Sequence, residues 1–166
     1  MGYNFASRQP VGTAESSQVA SLNTIFEEHD INNKDYGMQR FVYKKITDAG
    51  VATAIGSPVG EVQESGGGTV TPDFSDVGAD SILGDGGGIA QFVVAAAGTS
   101  YGWVQSKGIG RAIMKTTGAL AAAVLGTWTD DDTVAVVADG TEEYVFVMNL
   151  VAASGGSVAA GGYRLL

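Results

Sequence analysis

Short β-prone segments separated by turns that contain glycine and aspartate recur along the chain from Gln39 to Arg164. Their spacing of about 8–12 residues is typical of β-sandwiches and small β-barrels. No long amphipathic helical pattern interrupts them, which argues against an α/β fold. The sequence therefore predicts a mainly β domain over residues 39–166. The predicted strands are 40–46, 59–63, 69–74, 89–94, 101–105, 109–115, 121–128, 133–137, 144–151 and 157–164.

The two predicted strands at 101–105 and 109–115 are separated by Ser106-Lys107-Gly108. A short connection with glycine between two apolar β-prone runs is typical of a hairpin. We therefore expect the chain to reverse direction at these three residues.

Residues 1–38 differ from the rest of the chain, because they hold the only histidine and show little regular alternation. Within Ser16–Asp30, four apolar residues fall on one face of a helix, and Ser16 or Ser17 could cap it. The acidic residues at the end of this stretch oppose the helix dipole. The sequence predicts a short, marginal helix whose apolar face carries Val19, Leu22, Ile25 and Phe26.

We interpret residues 1–38 as an N-terminal arm that contacts partner subunits, and residues 39–166 as a glycine- and alanine-rich β domain. The apolar side chains of the arm are too few to build a core, but they could fill pockets on another surface. Burying one such side chain is worth about 1.5–3 kcal/mol, so we expect the arm to gain order on binding. The candidate partner-binding residues are Tyr3, Phe5, Arg8, Val11, Leu22, Ile25 and Phe26.

The charge is unevenly distributed along a chain whose net charge is −9. One basic island, formed by Lys107, Arg111 and Lys115, lies between two acidic stretches at 51–106 and 130–166. Opposite patches of this kind can set the register of contacts between subunits, so we expect the chain to self-associate. An ordinary solvated strand is the alternative. The acidic balance argues against nucleic-acid binding, which depends on clustered lysine and arginine.

The residue types that carry chemistry are sparse. The chain has no cysteine, which excludes disulfides and thiolate metal sites, and its one histidine, His29, has acidic neighbours but no nucleophile beside it in the sequence. Asp130–Asp132 is more typical of a polar turn than of a calcium loop, although a cation there stays an alternative. We expect no catalytic residues, no metal and no cofactor.

No apolar run reaches the length of about 20 residues that a membrane helix needs. Met1–Phe5 does not begin a signal-peptide pattern, so we expect neither a membrane partner nor a secretion signal.

Three segments, Gly88–Val94, Tyr101–Gly108 and Lys115–Thr127, together resemble capsid decoration (cement) proteins of tailed bacteriophages. In that group a strand of the form G-x-A-x leads to a G-x-V-Q-x-x-G strand. A corner of the form small-Gly-x-x-x-Ala follows. The resemblance covers about residues 40–166.

The resemblance implies a mainly β fold without enzymatic activity, found as dimers or trimers on the outer capsid surface of the virion. It also implies an N-terminal arm that contacts the major capsid protein. The expected fold is a small antiparallel β-barrel or sandwich, β-tulip-like, with an extended N-terminal arm carrying at most a short helix. Two other interpretations stay open: another virion structural protein (tail, fibre or head-completion module), and a small β-domain enzyme or carbohydrate binder.

Overall fold

The computed structural model describes residues 11–29, 37–47, 53–62, 68–71, 87–94, 98–113, 125–128, 134–136, 147–149 and 158–165. Within these ranges every helix or strand element is a β-strand, which confirms the mainly β fold. The strands are β1 (Ile25–His29), β2 (Met38–Thr47), β3 (Pro58–Glu61), β4 (Thr69–Thr71), β5 (Gly88–Ala90), β6 (Thr99–Ile113), β7 (Leu125–Trp128), β8 (Val134–Val136), β9 (Val147–Asn149) and β10 (Val158–Leu165).

A closed β-barrel is formed by five of these strands in the order β2-β4-β3-β5-β6. The closing pair is β2 with β6, which run antiparallel from Arg40↔Lys107 to Thr47↔Thr99. β1 is an additional strand that pairs antiparallel with the first half of β2. Of the two architectures predicted, the barrel is therefore the one that forms.

The hydrophobic core of the barrel interior consists of aliphatic side chains and one aromatic ring. Successive residues of each strand alternate between the interior and the outer face. Its centre is fully buried and includes Phe92 and Ile46. The remaining members of this core are Val59, Val70, Ala90, Val94 and Val104.

One strand pair of the barrel is parallel, so the antiparallel barrel predicted from the sequence is wrong at that pair. Lys45 lies opposite Thr69 and Ile46 opposite Val70 in a parallel register. β3 and β4 form an antiparallel pair, and it is the second of these two strands that contacts β2. The chain reverses direction between β2 and β3 and again between β3 and β4, so β4 runs in the same direction as β2. It pairs with the second half of β2, because β1 occupies the first half.

The hairpin predicted at Ser106–Gly108 is wrong, since β6 is one continuous strand of 15 residues. Arg40 pairs with Lys107 and Phe41 pairs with Gln105, so Ser106 is an extra residue in a β-bulge. Gly108 adopts φ of 100°, which allows the strand to bend there. Because residues 108–113 pair with β10, the strand changes partners and continues without reversing.

The last four strands continue the sheet from the second half of β6, in the order β10-β9-β7-β8, and all pair antiparallel. They fall within or close to the four strands predicted between residues 121 and 164. The described portions of β7, β8 and β9 are shorter than the strands predicted there.

The short helix predicted over Ser16–Asp30 is also wrong for residues 16–29, which contain turns followed by β1. Ile25 and Phe26 are β-prone residues, and three acidic side chains would have lain at the negative end of the helix dipole. A strand avoids that repulsion and gives the backbone a partner in β2. β2 begins at Met38, and β1, which precedes it in the chain, pairs with it in the same sheet.

Candidate interaction surface

An aromatic layer covers the outside of the barrel where β2 and β6 pair. Phe41, Tyr43 and Trp103 form a second buried cluster. Phe41 and Tyr43 alternate with the strand residues that face the interior, so their rings lie on the opposite face of β2. The rings of Tyr43 and Trp103 have centroids 5.0 Å apart.

Residues 11–29 cover this aromatic layer, and we call them the N-terminal cover. Phe26 stacks on Phe41 with ring centroids 5.1 Å apart. The Val19 N–H donates to the Tyr43 hydroxyl at 3.0 Å. Glu15 and Tyr101 exchange two main-chain hydrogen bonds, of 2.7 and 2.8 Å. The cover therefore packs on the same chain through its rings and its backbone.

The structure divides the predicted partner-binding residues into three groups. Val11, Leu22 and Phe26 are partly buried against the aromatic layer of their own chain. Ile25 points away from it and is 53% exposed. Tyr3, Phe5 and Arg8 lie outside the described residues. Of the seven, Ile25 is the described residue with a large exposed apolar side chain.

The outer edge of β1 carries unpaired main-chain groups within the described part of the sheet, where β1 is the terminal strand. The Tyr43 N–H donates to the Thr24 carbonyl at 2.9 Å. Because hydrogen-bonding residues alternate in an antiparallel pair, the N–H and C=O groups of Ile25, Glu27 and His29 point away from β2. This row of groups is what we call the β1 edge.

The side chains beside the β1 edge combine apolar and charged groups. Ile25 and Met38 are exposed by 53% and 48%. Between them, Arg40 Nε lies 2.9 Å from Glu27 Oε1 across the two strands. His29 lies opposite Met38. Met38 is not among the residues predicted from the sequence, and its exposure follows from its position at the start of β2, opposite the end of β1.

The other sequence-predicted features are placed only in part. Lys107 is exposed in β6, whereas the side chain of Arg111 and the whole of Lys115 lie outside what the structure describes. The same holds for Asp130–Asp132. Among the described residues, no three histidine or acidic side chains come together to hold a metal ion. In this same part of the chain there is no helix of the length and apolarity that a membrane span requires.

An unpaired strand edge can accept a strand from another chain, which supplies main-chain hydrogen bonds and places exposed side chains such as Ile25 against the new neighbour. The arrangement is thus suited to binding an extended segment of a protein. Comparisons of this chain with protein-family models, with curated proteins and with solved structures find no match.

Proposed function

We propose that this chain is a structural virion protein that binds the outer surface of a phage capsid lattice and stabilises it, without enzymatic activity. The observation that carries the proposal is the β1 edge together with two exposed apolar side chains beside it, Ile25 on β1 and Met38 on β2. The resemblance of the strand segments to capsid decoration proteins supplies the identity of the partner, the major capsid protein.

A strand of the capsid protein would add to β1 and extend the sheet by one strand. Each such contact is modest, because ordering an extended segment offsets much of what its hydrogen bonds and apolar contacts contribute. Repetition over a lattice supplies the remaining affinity, provided that the copies are linked by self-association. Dimers or trimers of this chain therefore belong to the proposal.

A second candidate is another virion structural protein, in a tail, a fibre or a head-completion module. The same β1 edge would serve such an assembly. The two candidates differ in location, since labelled protein would decorate the faces of the capsid in the first case and only the portal or tail in the second.

The proposal is tested by sedimenting the purified protein with empty capsids of the major capsid protein encoded in the same phage genome. The decisive variant is Glu27→Pro. The Glu27 N–H points away from β2, so proline removes a donor from the β1 edge and leaves the β1–β2 hydrogen bonds in place. Glu27→Gln is the matched control, because it loses the same charge and keeps the N–H.

We expect the native chain and Glu27→Gln to sediment with capsids, and Glu27→Pro to bind at least about tenfold more weakly, or about 1.4 kcal/mol. Absence of binding by the native chain would contradict the capsid assignment. Equal binding by Glu27→Pro and Glu27→Gln would show that the β1 edge is not the contact.

A further inference from the structure

A lysine is buried where the N-terminal cover, β2 and β3 meet. Lys44 is 3% exposed, although a lysine ammonium is rarely placed inside a protein without partners. Its Nζ donates to Asn23 Oδ1 at 2.8 Å and to Glu61 Oε1 at 3.2 Å. Three residues from three separate segments thus bring an amine, a carboxamide and a carboxylate together.

The face of the sheet from which Lys44 projects also carries an aromatic ring. Gly102 lies directly opposite Lys44 in the β2–β6 register, and the space of its missing side chain is taken by the ring of Phe92, 2.8 Å from where a Cβ would stand. Paired residues project their side chains to the same face of a sheet, so an aromatic ring lies on the face from which Lys44 projects.

Asn23 is held in place by its own backbone. Its N–H donates to the Tyr43 carbonyl at 2.8 Å, and it adopts φ of 64°, a left-handed conformation that few residues other than glycine tolerate. A Cβ on Gly68 would lie 3.3 Å from Asn23 Nδ2, so the backbone of Gly68 packs against the side-chain amide of Asn23. The same Gly68 donates its N–H to Glu61 Oε1 at 2.9 Å, which fixes the carboxylate.

From this geometry we propose that Lys44 and Asn23 join in an intramolecular isopeptide bond, with Glu61 carrying the proton. The Glu61 carboxylate takes a proton from the Lys44 ammonium, and the resulting amine attacks Cγ of Asn23. A bond forms between Nζ and Cγ. As the bond between Cγ and Nδ2 breaks, Glu61 passes its proton to the leaving nitrogen, which departs as ammonia, and Nζ returns one proton to Glu61.

No oxidant, metal or second molecule is required, because the reactants are two side chains and the product is one amide plus ammonia. Fixing an amine against an amide in this way replaces the bimolecular encounter that makes the same reaction slow in solution. Asn23 itself is exposed, so the ammonia can leave to solvent. The bond would fasten the N-terminal cover to β2 covalently, independently of any partner.

The intact mass of the purified, full-length chain tests the proposal directly. We expect a mass lower than that of the sequence by one ammonia, about 17 Da, and a branched peptide that joins the segments around residues 23 and 44 after proteolysis. The sequence mass in a chain that shows the circular dichroism of a folded β protein would overturn the proposal. So would a cross-link at another lysine.

Variants assign the roles of the three residues. Lys44→Arg keeps the positive charge and removes the nucleophilic amine, so its mass should be unreduced. Glu61→Gln removes the proton acceptor and should leave the bond unformed or its formation slower by at least tenfold. Lys45→Arg is the matched control on the adjacent residue, and it should show the same loss of ammonia as the native chain. Normal loss of ammonia in Glu61→Gln would remove Glu61 from the mechanism.

Discussion

Phe26 meets Trp103 edge-on, with ring centroids 4.6 Å apart and an angle of 87° between the ring planes. The pair joins a residue that the sequence analysis assigned to a separate arm to β6, one of the five barrel strands. Residues 11–29 thus pack against the barrel of their own chain. Partner binding by the arm stays a prediction, and among the described residues it is open to side chains that the N-terminal cover leaves exposed, such as Ile25.

Replacing Phe26 by alanine should lower the free energy of unfolding by about 2–4 kcal/mol. The loss combines the partial burial of the ring with its contacts to Trp103 and Phe41, since aromatic pairs contribute about 0.5–1.5 kcal/mol beyond burial. Urea denaturation followed by tryptophan fluorescence measures it. Ile25→Ala is the control, because Ile25 is exposed and its truncation should stay within about 0.5 kcal/mol. Equal effects of the two substitutions would contradict the observed packing.

Gly102 should not tolerate alanine. The added Cβ would lie 2.8 Å from two carbons of the Phe92 ring, and overpacking of this kind costs about 1–3 kcal/mol. Gly12→Ala is the matched control, because the nearest atom to a Cβ there is 4.0 Å away. Thermal unfolding of both variants gives the comparison.

The second change that tests the same contact is Phe92→Leu. Combined with Gly102→Ala, it should recover part of the lost stability. The double variant should then lose less unfolding free energy than the sum of the losses in the two single variants. Strict additivity would mean that the alanine meets something other than the ring.

Gly108→Ala should destabilise the bend of β6 by more than the cost of a left-handed conformation alone, which is about 1–2 kcal/mol. Its Cβ would lie 2.6 Å from the Met38 carbonyl oxygen. Gly37→Ala separates the two causes, because Gly37 also has positive φ, at 65°, but no atom within 4 Å of an added Cβ. Urea midpoints of the two variants should differ, with Gly108→Ala the lower.

The ion pair of Glu27 and Arg40 should contribute little to stability. Both side chains are substantially exposed, at 51% and 36%, and such pairs are worth about 0.2–1 kcal/mol. Glu27→Gln should therefore change the free energy of unfolding by less than about 1 kcal/mol, and less still in high salt. A larger loss in chemical denaturation would show that the β1 edge depends on this charge.

The strands of the barrel follow from local sequence, because β-branched and aromatic residues bounded by glycine set their positions. β2 was predicted at 40–46 and observed at Met38–Thr47. The pairing of β4 with β2 could not be predicted, since the sequence of residues 69–71 does not indicate which strand offers them an unpaired edge. The part of the β2 edge that is open to β4 is set by how far β1 extends along β2.

The errors at residues 16–29 and 106–108 have a common physical origin. Local patterns describe what a segment would form alone. In the fold, pairing with the open edge of β2 makes Ile25–His29 a strand. Pairing of Lys107 with β2 and of Gly108 with β10 keeps Ser106–Gly108 within β6. The cluster of Lys44, Asn23 and Glu61 was missed for a similar reason. Its members are distant in sequence, and each is an ordinary polar residue where it stands.

Closure of the barrel by β2 and β6 has a consequence for synthesis on the ribosome. The partner of Arg40 is Lys107, so most of the barrel residues must be translated before the ring can close. Until then a nascent chain can form the hairpin of β1 and β2 and the pair of β3 and β4, with the other edge of β2 still open. Long-range closure of this kind slows folding. We therefore expect β2 to be the segment that a chaperone protects during translation, and the interval in which residues 47–107 emerge to be the period of greatest risk of aggregation.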